Sequence, residues 1–430
     1  MSKLYYVESL GCPRNEVDSE LFAGITEQTG YVHTEDPNKA DLIIINTCGF
    51  IKEAKEESID TILELSIAKE RNPDCKIVVT GCLVKRYQEA LEAQLPEIDA
   101  FIPLKDFAQY AKWLSLNDYQ FNRKALNKLP YSYLRISDGC NNNCTYCAIP
   151  SIRGVLQSEP EEKLIKEVKY LAAQGVQELI ITAMDVTQYG VDCKDPQALL
   201  NLLSKIVKID GFSWIRLLYL HPAHIKTELL QFVKNNPRIV PYFDVPIQHI
   251  NDEVLKRMNR HTTRKDIERV IDEIRTVIPE AALRTTLITG FPGETEEQHK
   301  ELLSFVKQAK FDRLGVFTYS KEEDTPAYDL KPIVNHNTAK RRKRELMEQH
   351  ELNSELLLQK FLNKNLEIII DNIDEEIDFQ IEGRTKYDAP DIDGLVLVKT
   401  DTPDKYKVGD IVTINVIDTL QHDLIGKLVD

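Results

Sequence analysis

The chain has 430 residues, of which 42% are hydrophobic and 29% charged, with a formal net charge of −15 at pH 7. This length and composition predict two to four folded domains and exclude a disordered or fibrous protein. The longest apolar runs are far shorter than the roughly 18–20 residues of a membrane helix, and the negative charge disfavours a non-specific nucleic-acid binder. The first residues carry no export signal, so we expect a cytoplasmic protein.

Short β-branched or aromatic runs alternate with helical patterns through residues 1–118, which predicts a parallel α/β domain. The predicted strands are Lys3–Glu8, Asp41–Asn46 and Lys76–Thr80, and the predicted helices are Asn15–Thr29, Ile51–Lys69 and Leu83–Leu95. Residues 119–130 lose this pattern and end in Pro130, so we interpret them as a linker.

The same alternation resumes over residues 131–335 with six strand–helix units, which predicts an incomplete (β/α)6 barrel of the TIM type. The predicted strands are Tyr133–Ser137, Glu178–Thr182, Trp214–Leu220, Tyr242–Ile247, Leu283–Ile288 and Leu314–Tyr319. Helices such as Glu161–Ala173, Gln197–Lys208 and Arg264–Val277 separate them. Residues 336–364 follow as one charged connecting helix. Its RRKR run is compatible with a nucleic-acid patch, but glutamates follow at helical spacing and favour a solvated face.

The last segment, residues 365–430, changes to strand-like runs between proline and glycine turns, which predicts a small antiparallel β-barrel. It contains 16 Asp and Glu against 6 Lys and Arg, a net charge of −10. A barrel with this charge would repel RNA phosphates and attract a basic protein. We expect such a partner to contact the adjacent acids Asp374, Glu375 and Glu376.

The eight cysteines lie in a chain without an export signal, which favours metal binding or redox chemistry over disulfides. Cys140, Cys144 and Cys147 form a C-x3-C-x2-C loop after the first barrel strand, where barrel active sites are built. Thiolates suit iron or zinc. A closed zinc site needs a fourth protein ligand, which is not found nearby, whereas a 4Fe–4S cluster held by three thiolates leaves one iron open. An incomplete zinc loop is the alternative.

Three further cysteines, Cys12, Cys48 and Cys82, each come just after a predicted parallel strand. Because parallel strands end along one edge of their sheet, these thiols can converge as ligands. A glycine adjoins each of them and gives the backbone room to approach a cluster. Any one of these cysteines alone would be interpreted as a buried core thiol, as we interpret Cys75 and Cys193.

The CNNNCTYC loop after YLRISDG resembles the radical S-adenosylmethionine enzymes. The resemblance implies a 4Fe–4S cluster on this loop, with S-adenosylmethionine on the open iron. Reductive cleavage of S-adenosylmethionine would yield a 5′-deoxyadenosyl radical, which removes a hydrogen atom from an unactivated C–H bond. The N-terminal cysteines narrow the resemblance to the methylthiotransferases, which carry a second 4Fe–4S cluster there.

Within that family, the motifs GCPRNEVDSE, NTCGFI, AKEESI and TTLITGFPGETE are most similar to those of the branch that modifies ribosomal protein S12. The resemblance covers essentially the whole chain, with Arg14 where lysine is usual, and likens the C-terminal barrel to a TRAM domain. It implies methylthiolation of the β-carbon of an S12 aspartate, free or on the 30S subunit, with an electron donor and a sulfur donor.

Two rival functions stay open. A methylthiotransferase acting on N6-isopentenyladenosine in tRNA shares these motifs, but the acidic tail disfavours tRNA as a partner. A non-catalytic iron–sulfur sensor would hold a cluster without a pocket for S-adenosylmethionine. We expect no membrane partner.

The resemblance implies five contacts to S-adenosylmethionine: Asp185, Gly290, Glu294, Arg153 and Gln248. They follow the barrel strands or the cluster loop. For Asp185 the alternative is a helix cap, for Arg153 a structural salt bridge, and for the GFPGE turn ordinary loop chemistry with Glu294 at a helix start.

Overall fold

The computed structural model describes residues 3–374, 376 and 378–429. Its N-terminal strands are β1 (Leu4–Ser9), β2 (Val32–His33), β3 (Leu42–Thr47), β4 (Lys76–Gly81) and β5 (Ala100–Phe101). The helices are α1 (Pro13–Glu27), α2 (Lys52–Ser66), α3 (Ala68–Arg71), α4 (Cys82–Gln94) and α5 (Phe107–Trp113). The strands form one parallel sheet in the order β2-β1-β3-β4-β5, which confirms the predicted α/β domain. The additional edge strands β2 and β5 have two residues each, too few to show a periodic pattern.

The central strands are β6 (Tyr131–Arg135), β9 (Glu178–Thr182), β10 (Trp214–Leu217), β11 (Tyr242–Asp244), β12 (Ala282–Thr289) and β13 (Arg313–Thr318). They form two three-stranded parallel sheets, β6-β9-β10 and β11-β12-β13, linked by a parallel bridge between Ile215 and Ile239. A small hairpin of β7 (Ser137–Asp138) and β8 (Gln157–Ser158) flanks the cysteine loop. The result is the predicted six-stranded partial barrel, open between β6 and β13.

Helices cover the outside of this barrel. They are α7 (Glu161–Ala173), α8 (Ala198–Ile206), α9 (Thr227–Lys234), α10 (Asp252–Arg257), α11 (Arg264–Val277) and α12 (Glu296–Ala309), whereas the short α6 (Ile149–Arg153) packs on α4 of the N-terminal domain. Their apolar faces bury the outward side chains of the strands in one large core. A second core fills the inside of the barrel, where Val17 of α1 and Ile369 of the C-terminal segment pack against Tyr133 and Trp214. Residues of all three parts of the chain therefore complete the barrel interior.

The connecting helix α13 (His336–Leu358) leads to strands β14 (Asn365–Ile373), β15 (Ile381–Thr385), β16 (Val396–Val398), β17 (Ile411–Thr419) and β18 (Leu424–Leu428). These strands close into a barrel in the order β14-β15-β16-β18-β17, antiparallel except for the parallel pair of β16 and β18. In the RRKR run, Arg341 pairs with Glu345 at 2.6 Å and Arg342 lies buried beside Glu294 at 3.1 Å. Two of the run's cations are thus engaged within the protein.

The N-terminal domain lies on the carboxyl ends of the central strands. Arg14 donates to the carbonyl of Ala183, just after β9, at 3.0 Å, and Asp18 pairs with Arg135 at the end of β6. Lys55 and Arg86 both pair with Glu322 after β13, at 2.8 and 3.0 Å. This placement brings the N-terminal cysteines over the mouth of the barrel, where the C-x3-C-x2-C loop lies.

The C-terminal barrel closes the opposite, amino end. Glu178 at the start of β9 is buried between Arg216 at 2.6 Å and Arg384 of β15. Tyr242 donates to Asp393 at 2.6 Å, and Asp388 pairs with Arg313. Glu178 is therefore the buried counter-ion of Arg216.

These contacts correct the expectation that the whole net charge of residues 365–430 is available to attract a basic partner. Asp388 and Asp393 are engaged by the central barrel, so their charges are not free to attract a partner, whereas Asp391 accepts a hydrogen bond from Tyr131 but stays exposed. Of the three adjacent acids expected to contact a partner, Asp374 and Glu376 are described, whereas Glu375 lies outside the described residues.

We expect Glu178→Ala to lower the free energy of unfolding by about 3–5 kcal/mol, because it leaves the buried Arg216 without a counter-charge and Arg384 with Asp371 alone. Urea unfolding measures this. The control is Glu161→Ala, which breaks the solvent-exposed pair with Lys205 and should cost no more than about 1 kcal/mol. Equal losses in the two variants would contradict a stabilising role for the buried ion pairs of Glu178 between the central and C-terminal barrels.

The segment interpreted as a linker is packed rather than free. Its Arg123 is buried and pairs with Glu20 of α1 and with Glu167 of α7, the latter at 2.7 Å. None of the helices in the described part of the chain combines the length and apolar character that crossing a bilayer requires.

Candidate functional site

The C-x3-C-x2-C loop is held from several sides. The Cys140 amide donates to the carbonyl of Gly154 at 3.1 Å, and the Thr145 amide donates to that of Met258 at 2.9 Å. Besides burial, Cys144 raises the pKa of both Cys140 and Cys147, and Cys140 also raises that of Cys147, so the three thiols lie close to one another. Burial raises the pKa of Cys147 to about 12 in the absence of a metal. The loop therefore presents three thiols to one point at the mouth of the barrel.

The N-terminal cysteines lie at strand–helix junctions. Cys12 is the N-cap of α1, Cys48 follows β3, and Cys82 is the first residue of α4. Burial raises the pKa of both Cys48 and Cys82, and the neighbouring Cys12 thiol adds to the rise in each. The structure thus brings together the three thiols that sequence reasoning grouped.

Glycines make this approach possible. A Cβ on Gly11 would lie 2.8 Å from the Cβ of Cys48, and a Cβ on Gly49 would lie 2.8 Å from the Leu83 amide nitrogen. Gly11 and Gly81 have φ angles of 93° and 103°, a region that favours glycine. We expected these glycines to leave room for a cluster. In the structure, they allow the neighbouring loops that carry the cysteines to pack closely together.

The spacing of the thiols fits a cluster better than a single ion. Among the described residues, neither group has all three sulfur atoms within 4.8 Å of one another. A tetrahedral zinc, with Zn–S bonds of about 2.3 Å, would hold its sulfurs closer than that. An iron–sulfur cluster spreads its ligands further because several irons lie between them. Neither group, as described, therefore has its three thiols as close together as a single zinc ion requires.

Two buried arginines serve the N-terminal group. Arg14 stacks on Tyr219, 5.0 Å from the ring centre, and its charge acts on both Cys12 and Cys147. Arg153 approaches the Cys82 sulfur at 3.7 Å. Burial alone would raise the pKa of Cys12, but these two guanidinium charges and nearby backbone N–H groups lower it. The charge of Arg14 therefore acts on one cysteine of each group.

The Arg153 guanidinium forms several ion pairs and hydrogen bonds within the protein. Its guanidinium pairs with Asp18 at 3.2 Å and with Asp138 at 3.0 Å, and it donates to the Asn15 side chain at 2.6 Å. The structural salt bridge that sequence reasoning left open is therefore present, and it joins the N-terminal domain to the cluster loop.

Asp185 lies beside the C-x3-C-x2-C loop, where it accepts from the side chain of Asn142 at 3.1 Å. It also caps the turn that follows β9 and contacts Nδ1 of His224 at 2.8 Å. Burial would raise its pKa, but the hydrogen bond and charge of His224 lower it. Asp185, His221 and His224 bring donor atoms within 4.8 Å, yet the charge of Arg260 acts on His221 and opposes a cation there.

The GFPGE turn contacts the connecting helix. A Cβ on Gly290 would lie 2.4 Å from that of Ala339, and Arg342 reaches the buried Glu294 carboxylate at 3.1 Å. Burial would raise the pKa of Glu294, but His249 and then Arg342 lower it. The buried amide oxygen of Gln248 has no hydrogen-bond partner among the described residues. One oxygen of the Glu294 carboxylate, Oε1, is also buried without a hydrogen-bond partner among the described residues, so both Gln248 and Glu294 offer an unpaired oxygen.

Sequence reasoning missed His221, His224 and Asn142 as neighbours of Asp185. The HPAH motif after β10 was a usable signal, because it follows a barrel strand. The position of Arg14 between the two sites carried no signal, since it depends on how two domains dock.

Three family models match consecutive parts of the chain. They are described as "Uncharacterized protein family UPF0004" over residues 4–103, "Radical SAM superfamily" over residues 134–306 and "TRAM domain" over residues 364–429. A ribosomal protein uS12 methylthiotransferase RimO from Clostridioides difficile (strain 630) is 44% identical, covering 98% of this chain and 98% of the relative.

The chain belongs to the RimO family of radical SAM methylthiotransferases. A second RimO, from Bdellovibrio bacteriovorus, is 42% identical and covers 99% of this chain and 97% of the relative. The radical SAM superfamily implies S-adenosylmethionine and a 4Fe–4S cluster as cofactors.

Solved structures agree with this fold. The radical S-adenosylmethionine methyltransferase TsrM from Kitasatospora setae aligns with a TM-score of 0.59 at 15% identity, covering 76% of this chain and 77% of that one. A cobalamin-dependent radical enzyme, OxsB, aligns with a TM-score of 0.51 at 12% identity, covering 84% of this chain and 56% of that one. At these identities the likeness concerns the fold alone.

Proposed function

We propose that this protein attaches a methylthio group to the β-carbon of one aspartate of ribosomal protein S12, free or on the 30S subunit. When bound, S-adenosylmethionine and two 4Fe–4S clusters supply the electron, the carbon radical and the methylthio group. The reaction also requires an electron donor and a sulfur donor as partners. We expect it to take place in the cytoplasm, without membrane or tRNA contact.

The two cysteine groups have different tasks. Cys140, Cys144 and Cys147 hold the cluster to which S-adenosylmethionine binds, since three ligands leave one iron open. Cys12, Cys48 and Cys82 hold the second cluster, which handles the sulfur. Cys48, Cys82 and Cys144 are buried and the other three are half-buried, so both groups are partly shielded from solvent.

One observation carries this proposal: Cys82 of one group packs in a buried cluster with Ala148, the residue after Cys147 of the other, and the charge of Arg14 acts on both groups. Two cysteine sites within the electrostatic reach of one side chain share a single mouth of the barrel. A sulfur held at the second site is then positioned to meet a carbon radical generated at the first. Arg14 and Arg153 balance the negative charge that the N-terminal thiolates bring.

The contacts to S-adenosylmethionine remain proposals of unequal support. Gln248 offers an unpaired buried oxygen, and Asp185 lies one hydrogen bond from the cluster loop. Gly290 and Glu294 support the mouth through the connecting helix. Arg153 supports the second cluster site instead.

Mass spectrometry of S12 and of total tRNA from a deletion strain tests the function. We expect S12 to lose the mass of one methylthio group while tRNA keeps its methylthio-adenosine. Restoring the gene should return the S12 modification, and this is the control. An unchanged S12 together with a loss from tRNA would favour the rival tRNA methylthiotransferase.

A further inference from the structure

A groove of about 600 Å³ lies where the N-terminal domain, the edge strand β6 and the C-terminal barrel meet. Cys12 and Tyr219 line it, so it reaches the N-terminal cysteine site. Five carboxylates also line it: Glu8, Glu16, Glu20, Glu35 and Asp391. No lysine or arginine occurs among its described lining residues. The groove is therefore an acidic passage from the surface to the site.

Most of these carboxylates already have partners or lie in solvent. Glu20 pairs with Arg123, Glu8 accepts from Tyr6, and Asp391 accepts from Tyr131 at 2.7 Å. Glu35 is exposed at the mouth. Glu16 alone is half-buried without a hydrogen bond or ion pair from its side chain to any described residue. It comes four residues after Cys12, on the first turns of α1.

A second polar group in the groove is also unpartnered. Tyr133 is only 4% exposed and lines the groove, yet its hydroxyl makes no hydrogen bond within the described part of the chain. Glu16 and Tyr133 line the same groove, and besides burial, the charge of Glu16 raises the pKa of Tyr133. A ligand that enters the groove therefore meets a carboxylate and a hydroxyl that no described residue already engages.

We propose that this groove receives a lysine or arginine side chain of S12 close to the modified aspartate, with the Glu16 carboxylate as its counter-ion and the Tyr133 hydroxyl as a hydrogen-bond acceptor. This inference rests on the function proposed above and names how that substrate is held. A cation matches a groove with five carboxylates and no positive side chain. A phosphate-bearing strand would meet repulsion along the whole passage.

The test measures the dissociation constant of the cluster-loaded, full-length protein for purified S12. We expect Glu16→Gln to weaken binding at least about tenfold, because it removes the counter-ion of a desolvated cation. Tyr133→Phe should weaken it by a smaller factor, about threefold, for one neutral hydrogen bond. Glu162→Gln is the matched control, since it removes one negative charge from an exposed position of α7 outside the groove.

Pairing protein and substrate variants makes the test specific. Each lysine or arginine near the modified aspartate of S12 is replaced by glutamine in turn, and binding to wild type and Glu16→Gln is compared. For one S12 variant, the effect of Glu16→Gln should fall to less than about twofold. An equal loss for every S12 variant, or no loss at all, overturns the proposal. Iron content and circular dichroism establish that each variant is folded.

The two proposals fail differently. If wild type modifies S12 but Glu16→Gln shows no coupling to any S12 cation, the groove is not the cation site and the function stands. If wild type neither binds nor modifies S12, both proposals fall.

Discussion

Replacing Cys140, Cys144 and Cys147 together by alanine is expected to abolish the cleavage of S-adenosylmethionine to 5′-deoxyadenosine. The reason is that these three thiolates are the protein's ligands for the cluster that delivers the electron. Iron content should fall from about eight to about four atoms per chain, because the N-terminal cysteines keep their own cluster. Anaerobic reconstitution, iron analysis and chromatography after reduction with dithionite measure both effects.

Cys193→Ala provides the control for this variant. Cys193 is exposed and lies outside both groups, so its loss should leave iron content and cleavage unchanged. Continued cleavage in the triple variant would contradict the assignment of the radical site to this loop. If wild type itself forms no 5′-deoxyadenosine, the rival interpretation as an iron–sulfur sensor is favoured.

Replacing Cys12, Cys48 and Cys82 by alanine is expected to separate the two half-reactions. The variant should still cleave S-adenosylmethionine, because its C-x3-C-x2-C loop is intact, but it should form no methylthiolated S12. Iron should again fall to about four atoms per chain. Mass spectrometry of S12 after incubation with the reconstituted variant measures the loss.

The matched control is Cys75→Ala in the same domain. Cys75 is buried before β4, and burial raises the pKa of its thiol to about 11, but it belongs to neither group. Its replacement should keep about eight irons and the methylthiolation of S12. An iron content of eight in the triple variant, or methylthiolated S12 from it, would contradict the second cluster.

Much of the site was accessible from local pattern. Cys12, Cys48 and Cys82 were grouped because each follows a parallel strand, and parallel strands end at a common edge. The C-x3-C-x2-C loop needs no tertiary information, since its three thiols lie within eight residues. By contrast, β18 was not predicted, because the glycine and lysine in its sequence LIGKL interrupt the run of apolar residues that is typical of a strand.

The interpretation of charge was least secure. The tail's net charge was counted correctly, but a count does not show which acids face solvent. Asp388, Asp391 and Asp393 turn out to pair or hydrogen-bond with the central barrel. The same limit applied to Arg153, because its sequence position did not show that it pairs with Asp18 and approaches Cys82.

By itself the sequence determined most of the longer strands and helices, the two groups of thiols and the family, because these depend on periodicity and spacing over a few residues. Only the tertiary structure decided that Glu178 holds two arginines, that Arg14 lies between both cysteine sites, and that Glu16 and Tyr133 face one groove unpartnered. Those facts arise where side chains from separate domains meet, far apart along the chain. How the domains pack, and which side chains this packing removes from solvent, then decides which charges are paired within the protein and which have no partner there.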